Sequence, residues 1–123
     1  MSNSCIRLEA DAEQINRCKK LLEDQSGTID SMTTVLNLAG NTVRFNILFL
    51  LQHEGRLCVC DLSDILGISI SAVSQHLRKL KDRQLIYSVK EGQTIFYSNS
   101  ESQTEMLNTF FDLLADEPKT VAV

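Results

Sequence analysis

A mostly helical chain carrying one β-hairpin is what this sequence predicts, and three observations predict it. Apolar residues recur at helical spacing through most of the 123 residues. A short amphipathic segment closed by Gly67 is followed one turn later by a second segment that Ser69 can cap. After Leu85 the period changes to two, in Ile86-Tyr87-Ser88-Val89 and Thr94-Ile95-Phe96-Tyr97, which flank Lys90-Glu91-Gly92-Gln93. Two helices across a tight turn, followed directly by a hairpin, make a winged helix-turn-helix.

Taken in order, residues 11–25 predict a polar helix with Ile15, Cys18, Leu21 and Leu22 toward one side, and Ser26-Gly27-Thr28 predicts a break after it. A short apolar helix is expected over residues 32–38, stopped at Gly40. Asn41 is a good N-cap for the next helix, which carries Val43, Ile47, Leu50 and Leu51 inward and ends by Gly55. Phe45 and Phe49 widen its apolar surface. Residues 61–67 form the first helix of the pair and residues 69–82 the second. On that second helix Val73, Leu77 and Leu80 make an inward stripe, while Ser71, Ser74, Gln75 and Arg78 fall at i, i+3, i+4 and i+7 opposite. A last helix over residues 102–115 shows Met106, Leu107, Phe110, Leu113 and Leu114. The core is already closed by then, so this apolar surface points to a partner subunit. Residues 116–123, with the sole proline Pro118, read as a frayed tail.

The net charge of −4 hides a gradient. Residues 69–97 hold Arg78, Lys79, Lys81, Arg83 and Lys90 against Asp82 and Glu91, a local +3 that leaves −7 for the remainder. Screening acts beyond about 8–10 Å at physiological salt, so the local charge is what a phosphate meets. No apolar run nears the ~18 residues of a membrane span, and the first residues are polar without a signal-type stretch. The expected location is the cytosol. In that reducing compartment four cysteines point to metal binding, redox chemistry or burial rather than a disulfide framework. No nucleophile–base pair, phosphate loop or acid dyad suggests an enzyme.

Two constellations carry chemistry. The outward face of the second helix suits duplex DNA: small hydroxyls permit close approach, Gln75 can pair with adenine, and Arg78 can reach guanine or phosphate. Lys81 continues that basic face, and Lys90 and Gln93 on the wing lie beside it. The alternative is a solvated face of a winged helix used in protein contacts. The second constellation is Leu57-Cys58-Val59-Cys60-Asp61-Leu62. With Val59 extended, both sulfurs point to one side, and a helix starting at Asp61 favours the thiolates through its dipole. Thiolates select soft ions such as Cd(II), Pb(II), Zn(II), Hg(II) or As(III). The alternative is two small buried hydrophobes. Two sulfurs do not complete a site. Cys5 on the N-terminal arm and Cys18, either ligand or core, are the candidates to complete it. His53 and His76 are weaker candidates, His76 reading as a packed residue beside the inward stripe.

The stretches Leu36-Asn37-Leu38-Ala39-Gly40-Asn41-Thr42-Val43-Arg44-Phe45-Asn46-Ile47-Leu48, Leu57-Cys58-Val59-Cys60-Asp61-Leu62, Ser71-Ala72-Val73-Ser74-Gln75-His76-Leu77-Arg78-Lys79-Leu80 and Glu91-Gly92-Gln93 with Phe96-Tyr97 resemble the ArsR/SmtB family of metal-sensing winged-helix repressors. The resemblance covers about residues 30–115 and is nearest to the cadmium- and lead-sensing CadC type. It implies a homodimer through the first and last helices that binds operator DNA without metal and is released by it. It also implies that Cys58 and Cys60 bind the ion together with arm cysteines of the other subunit. Cys5 matches one of these, while residues 6–9 hold no second cysteine and Cys18 comes much later. The arsenic-sensing type often has a cysteine where Ser63 stands. The zinc-sensing type has Asp, His, His and Glu or His where this chain has Glu101, Gln103, Leu114 and Glu117, so no tight zinc site is expected there. The organisation implied is an arm and first helix (1–29), a DNA-binding core (30–98), and a C-terminal dimerisation helix and tail (99–123). A repressor answering to thiol oxidation or sulfide is the alternative to a metal sensor.

Overall fold

Asp11 opens the first helix, its carboxylate accepting from the Gln14 N–H at 3.0 Å. In this computed structural model, which describes residues 4–114, the helix (α1, Ala12–Ala39) is continuous. The expected break at Ser26-Gly27-Thr28 does not occur. Gly27 costs a helix interior only about 0.5–1 kcal/mol, too little to interrupt so long a run of helix formers. The stop falls at Gly40, where a Cβ would lie 3.0 Å from the Leu36 carbonyl oxygen.

The described chain divides into two compact units, residues 1–33 and residues 34–123. In the first unit the helix holds its apolar residues in the open: Leu21, Leu22, Ile29 and Met32 are exposed, and Ile15 is half-buried. Cys18 is exposed too, so it packs into no core within this unit.

The second unit begins with the last turn of α1 and continues into α2 (Thr42–Glu54). Asn41 caps α2 as expected, accepting from the Arg44 N–H, and Gly55 ends it at φ 91°. Then come β1 (Leu57–Cys58), α3 (Val59–Leu66), α4 (Ile70–Asp82), β2 (Ile86–Glu91) and β3 (Thr94–Asn99). In the turn between α3 and α4, Gly67 adopts the left-handed conformation at φ 69°. The Ser63 hydroxyl donates to the Ile68 carbonyl at 2.6 Å, and Ser69 caps α4 by accepting from the Ala72 N–H. Ser63 thus supplies a turn-forming hydroxyl.

The inward stripe is as the periodicity predicts. Val73, Leu77 and Leu80 are buried against Ile47, Leu51 and Leu62. Each such side chain contributes roughly 1.5–3 kcal/mol by leaving water. The three strands form one antiparallel sheet in the order β1-β3-β2, with Leu57 opposite Tyr97 and Cys58 opposite Phe96. Asn99 ends β3 in the core, donating to the Leu48 carbonyl at 2.9 Å and tying the wing's return strand to α2. The fold is a winged helix.

The C-terminal segment departs from expectation. In place of one helix there are α5 (Glu101–Thr104), a 3-10 turn (Glu105–Leu107) and α6 (Asn108–Leu114). Leu107 and Phe111, four residues apart and so on one helical face, enter the chain's own core. Leu107 is 1% exposed, which corrects its assignment to a dimer face. Met106 is half-buried and packs on the same core, while Phe110, Leu113 and Leu114 stay exposed. Glu117, Pro118 and the rest of the tail lie outside the described residues. Among the described residues no single helix is long and apolar enough to cross a membrane.

Candidate functional site

The residues expected to face DNA lie on α4 and the wing. Ser71, Ser74, Gln75, Arg78 and Lys81 are all exposed on α4, opposite its buried stripe. Lys90 and Gln93 are exposed at the tip of the β2–β3 hairpin, where Gly92 turns the chain at φ 65°. Helix and wing are joined directly: the Lys81 ammonium donates to the Ser88 hydroxyl at 3.0 Å.

Two arginines that sequence reasoning passed over hold this surface in place. Arg56 lies over the Phe96 ring at 3.9 Å from its centroid and pairs with Glu91 at 2.8 Å. The Glu91 carboxyl is lowered from its ordinary value by that hydrogen bond first and by the guanidinium charge second. The same hydrogen bond raises Arg56. Arg44 reaches back to the end of α1, donating from Nε to the Leu38 carbonyl at 2.7 Å. Its Nη1 makes a longer contact, 3.5 Å, with Nδ1 of His76 on α4. Burial lowers His76 first, and the charges of Arg44 and then Lys79 lower it further. The ring is thus neutral, and accepting at Nδ1 assigns its proton to Nε2. His76 is a packed histidine, as its place beside the stripe predicted. His76 is distant from Arg44 in sequence, and Glu91 and Phe96 from Arg56, so no local pattern announces those contacts.

Cys58 and Cys60 occupy one end of α3, with a difference from expectation. The helix starts at Val59 rather than Asp61, so Val59 is not extended and period-two alternation does not place the sulfurs. Cys58 is instead the N-cap residue, at φ −93° and ψ 169°, and Cys60 lies in the first turn. Caps are ordinarily Ser, Thr, Asp or Asn, whose oxygens satisfy free N–H groups. Cys58 makes no such side-chain bond. Its thiol is uncommitted, which local helix stability does not favour and ligand chemistry does. Cys58 is half-buried and Cys60 exposed, so neither is a buried filler. Asp61 also occupies the first turn and shares the positive helix end with them.

All four cysteines are free thiols. No group of three or more Cys, His, Asp or Glu capable of holding a metal occurs among the described residues. Cys58 and Cys60 by themselves are two soft donors, short of a complete site. His53 engages Glu54 at 2.8 Å on the surface and is not brought to them.

Comparison with known proteins places the chain in a lineage. Residues 41–88 match the family described as bacterial regulatory protein, arsR family. The cadmium resistance transcriptional regulatory protein CadC homolog of Staphylococcus aureus is 33% identical over 95 residues, covering 77% of each chain. The putative arsenical resistance operon repressor ArsR2 of Halobacterium salinarum is 38% identical over 88 residues, 68% of this chain and 74% of that one. Among solved structures, reduced HlyU from Vibrio cholerae superposes with a TM-score of 0.70 at 30% identity, covering 78% of this chain and all of that one.

Proposed function

The chain belongs to the ArsR family of bacterial regulatory proteins, and on that premise we propose that it represses transcription until a soft metal ion releases it from operator DNA. It is a regulator and not an enzyme. The effector we infer is Cd(II) or Pb(II), ahead of Zn(II), Hg(II) and As(III), because thiolates prefer soft ions and a relative is a cadmium resistance regulator.

The observation that carries this reading is the position of Cys58. Its thiol is free, its backbone pairs with Phe96 of the wing strand, and its residue opens α3, the helix that packs on α4. An ion held by Cys58 and Cys60 supplies bonds strong enough to move that junction, and both DNA-facing elements hang from it. Cys5 and Cys18 from the N-terminal region of a partner subunit complete the ligand set in this reading. The dimer forms through the exposed apolar residues of α1 and through Phe110, Leu113 and Leu114 with Met106 at their edge. Gln75 and Arg78 read bases, helped by Ser71 and Ser74, while Lys81, Lys90 and Gln93 hold the backbone. Glu101, Gln103 and Leu114 lack the imidazoles of a zinc site, so the C-terminal helices serve the core and assembly rather than metal binding.

The test titrates reduced protein with Cd(II), following sulfur-to-metal charge-transfer absorption and operator affinity together. Parallel loss of affinity and growth of the band supports the reading. Release by a mild oxidant, with no response to Cd(II), would replace it with a thiol-redox repressor.

A further inference from the structure

Between α4 and the wing lies an open notch of about 500 Å³, lined by Ser74, Leu77, Arg78, Lys81, Asp82 and Tyr97. Its charge is net positive, two cations against the carboxylate of Asp82. The buried Leu77 supports its floor. Lys81 is not a free-swinging lysine here. Its ammonium is held at 3.0 Å from the Ser88 hydroxyl, and Ser88 is the cross-strand partner of Tyr97. Tyr97 is half-buried, yet its hydroxyl makes no hydrogen bond among the described residues. A fixed ammonium, a guanidinium, a small hydroxyl and an uncommitted phenol thus border one cavity. Fixed donors of this kind suit a tetrahedral oxyanion, since charge-assisted bonds to phosphate oxygens are the stronger class.

We propose that this notch seats one phosphodiester of the DNA strand passing between α4 and the wing, with Lys81 supplying the charge and Tyr97 donating a hydrogen bond. The inference rests on the DNA-binding reading above and adds to it a register-setting contact from the sheet. Ser74 and Arg78 face both the notch and the base-reading surface, so a phosphate seated here fixes how deeply α4 enters the groove. Such a contact carries no sequence information of its own. It should therefore act alike on every duplex.

The test uses the full-length dimer or monomer as purified, a duplex selected by the wild-type protein from a random-sequence pool, and a scrambled duplex of the same length. Tyr97→Phe removes only the hydroxyl, and Lys81→Met keeps the stem without the charge. Tyr97→Phe should weaken both duplexes by the same factor, roughly tenfold to a hundredfold, the worth of one hydrogen bond to a charged group. Lys81→Met should reduce the slope of log affinity against log salt by about 0.9, the share of one phosphate contact. Preference for the selected over the scrambled duplex should stay at the wild-type ratio in both variants. Unchanged affinity in Tyr97→Phe, an unchanged salt slope in Lys81→Met, or an altered preference ratio in either would overturn the proposal. Inorganic phosphate at matched ionic strength distinguishes a free anion from a strand phosphate. It should not displace the duplex beyond the effect of chloride, and displacement at millimolar phosphate would make the notch a small-anion site instead. A wild-type protein that shows no preference for any selected duplex would instead remove the DNA-binding reading itself. Unaltered far-ultraviolet circular dichroism and melting temperature show that either variant still folds.

Discussion

Phe110 and Phe111 are neighbours with opposite fates, and that contrast gives a quantitative prediction. Phe111 is 3% exposed and its ring meets Phe45 edge-on at 5.4 Å and Phe49 at 5.8 Å. A buried aromatic ring removes about 150–250 Å² from water, which at ~25 cal/mol per Å² is about 4–6 kcal/mol as an upper bound. Truncation leaves the Cβ in place but opens a cavity, and such changes cost about 3–5 kcal/mol in practice. Phe111→Ala should therefore lose about 4 kcal/mol, a large part of the ~5–15 kcal/mol that holds a domain of this size. Phe110 is 47% exposed, and its substitution by Asp should leave the chain folded while dissociating the dimer at micromolar concentration. Urea unfolding at fixed protomer concentration measures the first, with an unchanged m-value as the check on two-state behaviour. Sedimentation equilibrium measures the second. A loss below about 1 kcal/mol in Phe111→Ala would refute the core assignment, and a wild-type dimer in Phe110→Asp would refute the interface.

Replacing Arg78 with Ala should cost about 1–3 kcal/mol of operator affinity and relax discrimination at the base it reads; a binding titration that returns the wild-type affinity removes the recognition-helix assignment. Gly67→Ala should cost about 1 kcal/mol, because an added Cβ meets nothing within 4 Å and only the left-handed backbone at φ 69° resists it; equal urea midpoints for the two proteins would contradict this. His76 sits below its ordinary value of 6.5, so its contribution to stability is complete above that pH and is lost as pH falls below it, the unfolded chain binding the proton more readily. His76→Gln should flatten the fall in unfolding free energy between about pH 7 and pH 5, and identical pH profiles for variant and wild type would show that His76 does not titrate differently on folding.

Much of this was legible in the sequence because local patterns carried it. Helical periodicity fixed the stripe of Val73, Leu77 and Leu80, and the capping chemistry of Asn41, Gly55, Gly67 and Ser69 placed the boundaries of α2 and α4 and the end of α3. The reading strayed where a local cue was weak against the chain around it. Gly27 looked like a break, yet one glycine costs less than a long helix gains. Leu107 looked like interface, but periodicity shows that a residue is on an apolar face and not which partner covers it. Cys58 and Cys60 stand out by type and spacing, but the helix begins between them rather than after them. Arg44 meets His76 and Arg56 meets Glu91 across more than thirty residues, contacts that leave no trace in a window of sequence.

The central claim is that Cys58 and Cys60 are where the effector acts, and one measurement meets it directly: operator affinity of the wild type, Cys58→Ser and Cys60→Ser, each with and without Cd(II) or Pb(II). Metal and DNA binding should oppose each other in the wild type by about 1–3 kcal/mol, a coupling that must be the same read from either ligand. Both variants should hold the operator as tightly as the metal-free wild type, because neither thiol contacts DNA in this account. Neither should let go when metal is added. Release of both variants at wild-type metal concentrations would place the sensor elsewhere in the chain.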